Sequence, residues 1–543
     1  MVAPPFPPTD VSLHAVTDTE AVPIADPSIS LVEQIKLRRV KKGPFVAGIA
    51  AKTDSENFKD QEKNKDRPAA KRWGDLLTLE SRSRKPSSLK AAAKFLAQEG
   101  LISLGGGLPS SDYFPFENIG AKVPTIGEFS EEETRVTGQE MTIGKHDVKE
   151  GKSVFDLSIA LNYGQGTGSA QMLRWVTEHT EIVHDPPYKD WSCVLTPGSS
   201  YPLEQVYRMF GNRGDYVLYE EFTFATAVET AFPLGLRPCG VKVDAEGLLP
   251  SDLDEILSNW DEKARGAKKP VLLYTVPSGQ NPTGATQSES RRREVYSVCQ
   301  KHNLLIIEDE PYFFLQMDPY GETASAPTTN TEQFLKSLVP SLLSMDVDGR
   351  VIRLDSFSKV IAPGSRMGWV VASAEITERI TRHNENSVQN PSGIAQVLMH
   401  RLLDETWGHE GYFEWLGYIR KEYTRRRNVI LKACETYLAP LNGVATWVPP
   451  MAGMFLWIQI HPPAGCEDEN DLQKIEQKIF DECINEKVLL TPGSWFMAEG
   501  KEQLKKNGKL FFRATYAAAS EEAMVTAIER FSGALRSVFE IRG

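Results

Sequence analysis

Between about residues 160 and 400, short uninterrupted apolar runs alternate with segments whose apolar residues recur every three or four positions. The runs CVLT (Cys193–Thr196), YVLYE (Tyr216–Glu220), VLLYTV (Val271–Val276), LLIIED (Leu304–Asp309), VIRLDS (Val351–Ser356) and WVVAS (Trp369–Ser373) predict buried strands. An apolar run without polar alternation suits a strand covered on both faces, so this part predicts an α/β domain on a mostly parallel sheet. After about 405 the pattern changes. A long helical period over Tyr412–Leu438 precedes three strand-like stretches, Met454–Ile460, Val488–Gly493 and Leu510–Tyr516, and a closing helix over Glu521–Phe539. That order predicts a second, α+β domain over 405–543, and no repeat of fixed period interrupts it.

The first 80 residues are rich in Pro, Asp, Ser and Lys with little period, and predict an irregular extension. Within it, LVEQIKLRRVKKGPF (Leu31–Phe45) is a basic amphipathic stretch, a surface helix or an arm on a partner subunit; a DNA contact is the other reading. Ser87–Gly100 predicts a helix between a Ser cap and a terminal Gly, and Leu101–Pro109 a strand entering a Gly turn. Two stretches, about 120–155 and 316–348, break the core pattern and predict surface insertions.

Composition narrows the class of function. The chain has 543 residues, 41% apolar and 25% charged, enough for two or three domains and a large core. Its net charge of -12 is spread along the chain and argues against a general nucleic-acid or anionic-membrane surface. Six cysteines show no CxxC spacing and suit reduced thiols. No run approaches the roughly 18 apolar residues of a membrane span, and MVAPPFPPTD lacks the form of a secretory signal. A cytoplasmic globular protein is the expectation, with an organelle as the alternative.

The strongest chemistry lies in DSFSKVIAPGSRMGW, where a strand enters a polar turn carrying Ser356, Ser358, Lys359 and Arg366. A lysine just beyond a buried strand loses hydration and is held closer to the neutral amine that attacks an aldehyde. Arg366, past a Pro-Gly turn, suits a dianionic phosphate together with the two hydroxyls. The segment SCVLTPGSSYPLEQVYRMFG places Ser199 and Ser200 at a helix start, either a plain cap or an anion site. Asp309 ends an apolar strand and Tyr312 follows, so the carboxylate either caps a helix or meets a buried cation. NPTG, with Asn281, is a good turn in its own right, and Phe224 in YEEFTFATA is equally a core residue. Arg513 within LFFRATY is costly to bury without an anion.

Taken together, S-x-S-K-x-x-x-P-G-x-R-x-G-W and the ordered tracts around it resemble the active-site signature of fold-type I aminotransferases. The resemblance covers about 85–543. It is nearest to fungal aromatic amino acid aminotransferases and to the kynurenine/2-aminoadipate branch, through SRSRKPSSLK and ISLGGGLPSSDYFPF. It implies an aspartate-aminotransferase-like fold: a large domain over 116–404, and a small domain from 405–543 joined by the early segment 81–115. It implies pyridoxal 5'-phosphate (PLP) as cofactor, with Lys359 its covalent anchor and the proton carrier. Asp309 would meet the ring nitrogen, Asn281 and Tyr312 the ring hydroxyl, and Phe224 the ring face. Ser199, Ser200, Ser356, Ser358 and Arg366 would hold the phosphate, as would Tyr163 of a neighbouring subunit in a homodimer. Arg513 would grip the substrate α-carboxylate, with Asn281, Gly107 and Arg84 lining the substrate site. The implied reaction is ping-pong transfer from an aromatic amino acid to a 2-oxo acid, 2-oxoglutarate. Tyr113, Phe114 and Arg84 are candidates for admitting first a ring and then a distal carboxylate. Kynurenine or 2-aminoadipate is the alternative donor; a PLP lyase and a PLP-domain transcriptional regulator are the other classes.

Overall fold

The computed structural model describes residues 29–541, apart from 46–47, 49–50, 52, 89, 91–94, 96–97, 99, 106, 322–329, 463–468 and 501–507. The chain divides into two units, Met1–Phe45 and Val46–Gly543. The first contains the helix Leu31–Lys42, as its period predicts. Ser30 accepts the Glu33 N–H at its start, and Arg39, Lys41 and Lys42 crowd its last turn, each where the helix dipole favours it.

In the second unit a hairpin of β1 (Asn118–Val123) and β2 (Gln139–Gly144) precedes the main sheet. The sheet is assembled from β3 (Trp191–Thr196), β4 (Tyr216–Glu220) and β5 (Arg237–Val241). A small ribbon of β6 (Val243–Asp244) and β7 (Gly247–Leu248) follows, and β8 (Leu272–Thr275), β9 (Leu305–Asp309), β10 (Val351–Ser356) and β11 (Gly368–Ser373) complete the sheet. The order of its seven strands is β3-β11-β10-β9-β8-β4-β5, with only β11 antiparallel to its neighbours. The six runs expected as strands all lie in it. The seventh, β5, is RPCGV, whose Pro and Gly mask its strand character; an edge position tolerates both. The sheet is covered on both faces, so β9 and β10 are buried at every position.

A second sheet of four antiparallel strands has the order β12 (Ala445–Trp447), β13 (Phe455–Ile460), β15 (Leu510–Thr515), β14 (Thr491–Pro492). The helix Glu521–Val538 packs on it through Phe531 against Phe512, and also on the 30-residue helix Gly408–Tyr437, both helices as expected. Of the run Val488–Gly493 only Thr491–Pro492 is strand.

Four expectations meet a different structure. Residues 55–80 are not an irregular extension: Trp73 and Leu77 are buried, and buried Lys59 donates to the main-chain oxygens of Lys189 (2.7 Å) and Trp191 (2.8 Å). Those partners lie more than a hundred residues away, so no local period announces them. The stretch 120–155 buries Val123, Phe129, Met141, Ile143 and Phe155, single apolar residues spaced along a hairpin. In 316–348 the described part buries Phe334, Leu342 and Leu343. Leu101–Pro109 has no strand among its described residues, and Ile102 and Leu104 are exposed. The helix expected over Ser87–Gly100 lies largely outside the described residues.

Candidate active site

β3, β4, β8, β9 and β10 run in one direction, so their carboxyl ends share one edge of the sheet, where open α/β sheets form ligand crevices. Those ends are Thr196, Glu220, Thr275, Asp309 and Ser356, and the turns after them carry most of the residues singled out in the sequence.

At one end of the crevice, Ser356 pairs across to Gly368 and Gly368 to Thr196, which sets the Lys359 turn beside the turn Pro197–Ser200. Ser356 Oγ donates to Ser358 Oγ at 2.7 Å and accepts the Ser358 N–H at 3.1 Å. Ser199 precedes the helix Ser200–Phe210 and makes no side-chain capping bond, leaving first-turn N–H groups at the crevice. Arg366 has φ 48°, rare for a residue with a Cβ, and its Nη2 donates to the Pro197 carbonyl at 3.2 Å. Gly198 has φ 76°, and a Cβ there would stand 2.5 Å from Arg366 Nη2. Glycine therefore lets the guanidinium lie against the turn. One cation, serine hydroxyls and a helix start form a cradle for a dianionic phosphate.

The other end is dry. Asp309 is buried; its Oδ2 accepts from the Tyr274 hydroxyl at 2.7 Å, while its Oδ1 is buried with no hydrogen-bond partner. Burial pushes its pKa up to about 6, helped by the charge of Asp355 and opposed by the Tyr274 bond and Arg353. An orphaned carboxylate oxygen at a ligand crevice is matched by a charged donor from a ligand, and a protonated pyridine nitrogen is one. Tyr312 is also buried, its hydroxyl pKa raised by burial and then by Asp309.

Lys359 is half-buried in the turn between these ends. Burial lowers its pKa, and Arg366 lowers it further. Opposite stands β15 of the four-stranded sheet, from which Arg513 Nη1 donates to Asn281 Oδ1 at 2.7 Å. Its guanidinium lies 4.3 Å from the Phe455 ring centre and 4.4 Å from that of Phe496. Flat apolar walls and one amide oxygen hold a cationic fork beside Asn281, which suits a carboxylate. The donor set thus fits PLP at both of its polar ends.

The remaining candidates are less gathered. Phe224 is half-buried at the start of the helix Ala225–Ala231. Tyr163 is 60% exposed. Gly107 is exposed with open space where a Cβ would stand. Arg84 follows the helix Leu79–Ser83 and donates through Nε to Glu80 at 3.0 Å.

Three residues of the site went unremarked in the sequence. Tyr274 is the hydroxyl on Asp309, visible beforehand only as one polar tip in VLLYTV. Glu220 is buried and accepts from Thr275 Oγ1 (2.6 Å) and Gln280 Nε2 (3.0 Å), while Gln280 Oε1 accepts the Thr283 N–H (2.9 Å). This network shapes the loop that carries Asn281; burial lifts Glu220 to about 7.

Among the described residues no helix is long and apolar enough to cross a membrane, and no group of His, Cys, Asp and Glu is arranged to hold a metal ion. Residues 158–531 match the family described as aminotransferase class I and II. An aromatic amino acid aminotransferase of Schizosaccharomyces pombe is 44% identical over 471 residues, 86% of this chain and 98% of the relative. The mitochondrial kynurenine/alpha-aminoadipate aminotransferase of Bos taurus is 33% identical over 473 residues, 85% of this chain and 98% of the relative. The crystal structure of aminotransferase Aro8 from Candida albicans superposes with a TM-score of 0.79 at 39% identity, over 87% of this chain and 100% of that one. With a seven-stranded, mostly parallel sheet of the fold-type I form and these likenesses, the chain belongs to the class I and II aminotransferases.

Proposed function

We propose that this aminotransferase uses PLP to move the amino group of an aromatic amino acid to 2-oxoglutarate, as a cytoplasmic homodimer. The observation that carries the cofactor assignment is the buried, unpartnered Oδ1 of Asp309 at the crevice. When bound, PLP supplies the electron sink and the aldehyde carbon that this chemistry needs. The protein's own groups do the rest. Asp309 holds a proton on the ring nitrogen, oriented by the Tyr274 hydroxyl. Lys359, drawn toward its neutral form, anchors the cofactor and moves a proton to and from the substrate Cα. Asn281 and Tyr312 serve the ring hydroxyl and Phe224 the ring face. Ser199, Ser200, Ser356, Ser358 and Arg366 hold the phosphate, joined by the exposed Tyr163 of a second copy.

Arg513 binds the α-carboxylate of every substrate, beside Asn281. Gly107, Tyr113, Phe114 and Arg84 border the substrate's far end, where Arg84 leaves Glu80 for a distal carboxylate. The aromatic preference rests on the fission-yeast relative and on the L-tyrosine:2-oxoglutarate aminotransferase of Tapinella panuoides, 36% identical over 410 residues. The Bos taurus relative favours a second reading, with kynurenine or 2-aminoadipate as donor. The five described cysteines are buried and unbridged, in keeping with a reducing compartment.

A single-turnover screen decides between the readings. The purified protein is loaded with PLP and mixed with each amino acid, and the conversion of cofactor absorbance to the pyridoxamine form is followed. Faster conversion by phenylalanine, tyrosine or tryptophan than by 2-aminoadipate and kynurenine is expected; the reverse order selects the second reading, and no conversion by any of them overturns both.

A further inference from the structure

We propose that Trp415 is a positioning residue for Lys359, and that the hairpin of β1 and β2 exists in part to brace it. The inference rests on the assignment of Lys359 as cofactor anchor. The lysine turn is closed from within: the N–H groups of Val360 (3.3 Å), Ile361 (2.8 Å) and Ala362 (3.1 Å) converge on the Phe357 carbonyl. The Phe357 ring is buried between Trp369 (5.0 Å) and Trp175 (5.9 Å). The turn is also held from outside. Trp415, on the helix Gly408–Tyr437, donates its indole N–H to the Val360 carbonyl at 2.7 Å. Val360 is the residue after the lysine, so this bond fixes the Val360–Ile361 peptide and, through it, the path of the turn that carries Lys359.

The indole is itself held by an aromatic cluster. It packs on Trp407 (5.6 Å), Tyr418 (5.7 Å) and the edge of Phe129 (5.6 Å). Phe129 comes from the segment between β1 and β2 and is buried, and Trp407 donates its own indole N–H to the Pro124 carbonyl of the same segment at 3.0 Å. Ile126 packs so closely on Gly411 that a Cβ there would lie 2.7 Å from it. The hairpin therefore sits on the first turns of the helix that presents Trp415. An amine that must reach both a cofactor carbon and a substrate proton is sensitive to displacements of a fraction of an ångström, which is the use of such a brace.

The test compares three variants of the PLP-loaded protein by the pH midpoint of the bound cofactor's absorption and by steady-state kinetics. Trp415→Phe keeps a stacked ring and removes the N–H. It is expected to shift the midpoint measurably and lower kcat by roughly three- to tenfold, the equivalent of one neutral hydrogen bond, with KM for the amino acid unchanged. Phe129→Leu keeps the N–H but loosens the indole and is expected to shift both readings in the same direction by less. Trp407→Phe keeps the stacked ring and loses only the outer tie to Pro124, and should shift the midpoint by clearly less than Trp415→Phe. An unmoved midpoint in Trp415→Phe, or an equal shift in Trp407→Phe, overturns the inference. Wild-type protein that fails to give the lysine-linked cofactor absorption at all refutes the underlying assignment instead.

Discussion

The two ends of the crevice are built on opposite principles. The Asp309 end is buried, lined by Tyr274 and Tyr312, and leaves a carboxylate oxygen without any partner from the protein. At the other end, proposed for a phosphate, the guanidinium of Arg366 is exposed to water, its bonds run to main-chain carbonyls, and much of the cradle is backbone. An exposed cation and helix N–H groups are satisfied by water until an anion arrives. A buried carboxylate is not, so the Asp309 end depends on a charged donor from a ligand far more than the Arg366 end depends on an anion. The same contrast separates the two arginines assigned to substrates: Arg513 is set between aromatic rings, whereas Arg84 sits on a partly exposed ion pair with Glu80.

The largest effect should come from the residue where the two ends meet. Lys359→Ala removes anchor and proton carrier together, and transamination should fall by more than the roughly 10²–10⁴-fold of one acid–base group, while phosphate contacts still retain the cofactor. Near-normal turnover in steady-state assays would defeat the assignment. Arg513→Lys, which loses the planar fork, should lower kcat/KM for every amino and 2-oxo acid by roughly 10- to 100-fold, the scale of a charged hydrogen bond. A loss confined to one substrate would contradict its place on the common α-carboxylate.

Asp309→Asn probes the dry end without any substrate. In cofactor-free protein the folded carboxyl titrates near 6, above its ordinary value of 3.8, so the folded state binds the proton more tightly than the unfolded state. The stability due to that proton is fully present below about pH 4 and lost as pH rises through 6, at most about 3 kcal/mol. Thermal unfolding should thus show cofactor-free Asp309→Asn gaining on the wild type as pH rises from 4 to 8, and the order should reverse once PLP is bound. A pH-independent difference would remove the ionised Asp309 from the account.

The exposed end should respond more gently. Gly198→Ala forces a Cβ into a left-handed turn against Arg366, a cost of about 1–2 kcal/mol, and should weaken cofactor affinity about tenfold in a titration of cofactor-free protein while leaving the Asp309 pH signature intact. The smallest change is expected for Arg84→Ala: a loss under about tenfold in kcat/KM for 2-oxoglutarate and less for phenylpyruvate, since an exposed charge shared with Glu80 contributes little. Equal losses for both acceptors would leave Arg84 a surface residue.

Much of this was legible in the chain itself. Six apolar runs without alternation set six of the seven strands of the main sheet, five of them running in one direction, because a strand buried on both faces admits no polar face. The turn after β10 declared its chemistry because Ser356, Ser358, Lys359 and Arg366 fall within eleven residues, where sequence neighbours are also spatial neighbours. What tertiary structure alone decided involves partners brought together across long separations. Tyr274 reaches Asp309 across 35 residues, Arg513 reaches Asn281 across 232, and Trp415 reaches Val360 across 55. No period or spacing encodes such pairs, since each depends on how whole strands and helices are stacked. The hairpin of β1 and β2 reads as an insertion for the same reason: its buried residues are spaced singly, and only partners distant in the chain, Trp415 at Phe129 and Val397 at Ile143, make them a core. Sequence fixes what each strand end offers; the order in which the sheet arranges those ends determines which offers meet, because burial and hydrogen-bond geometry are properties of the packed whole.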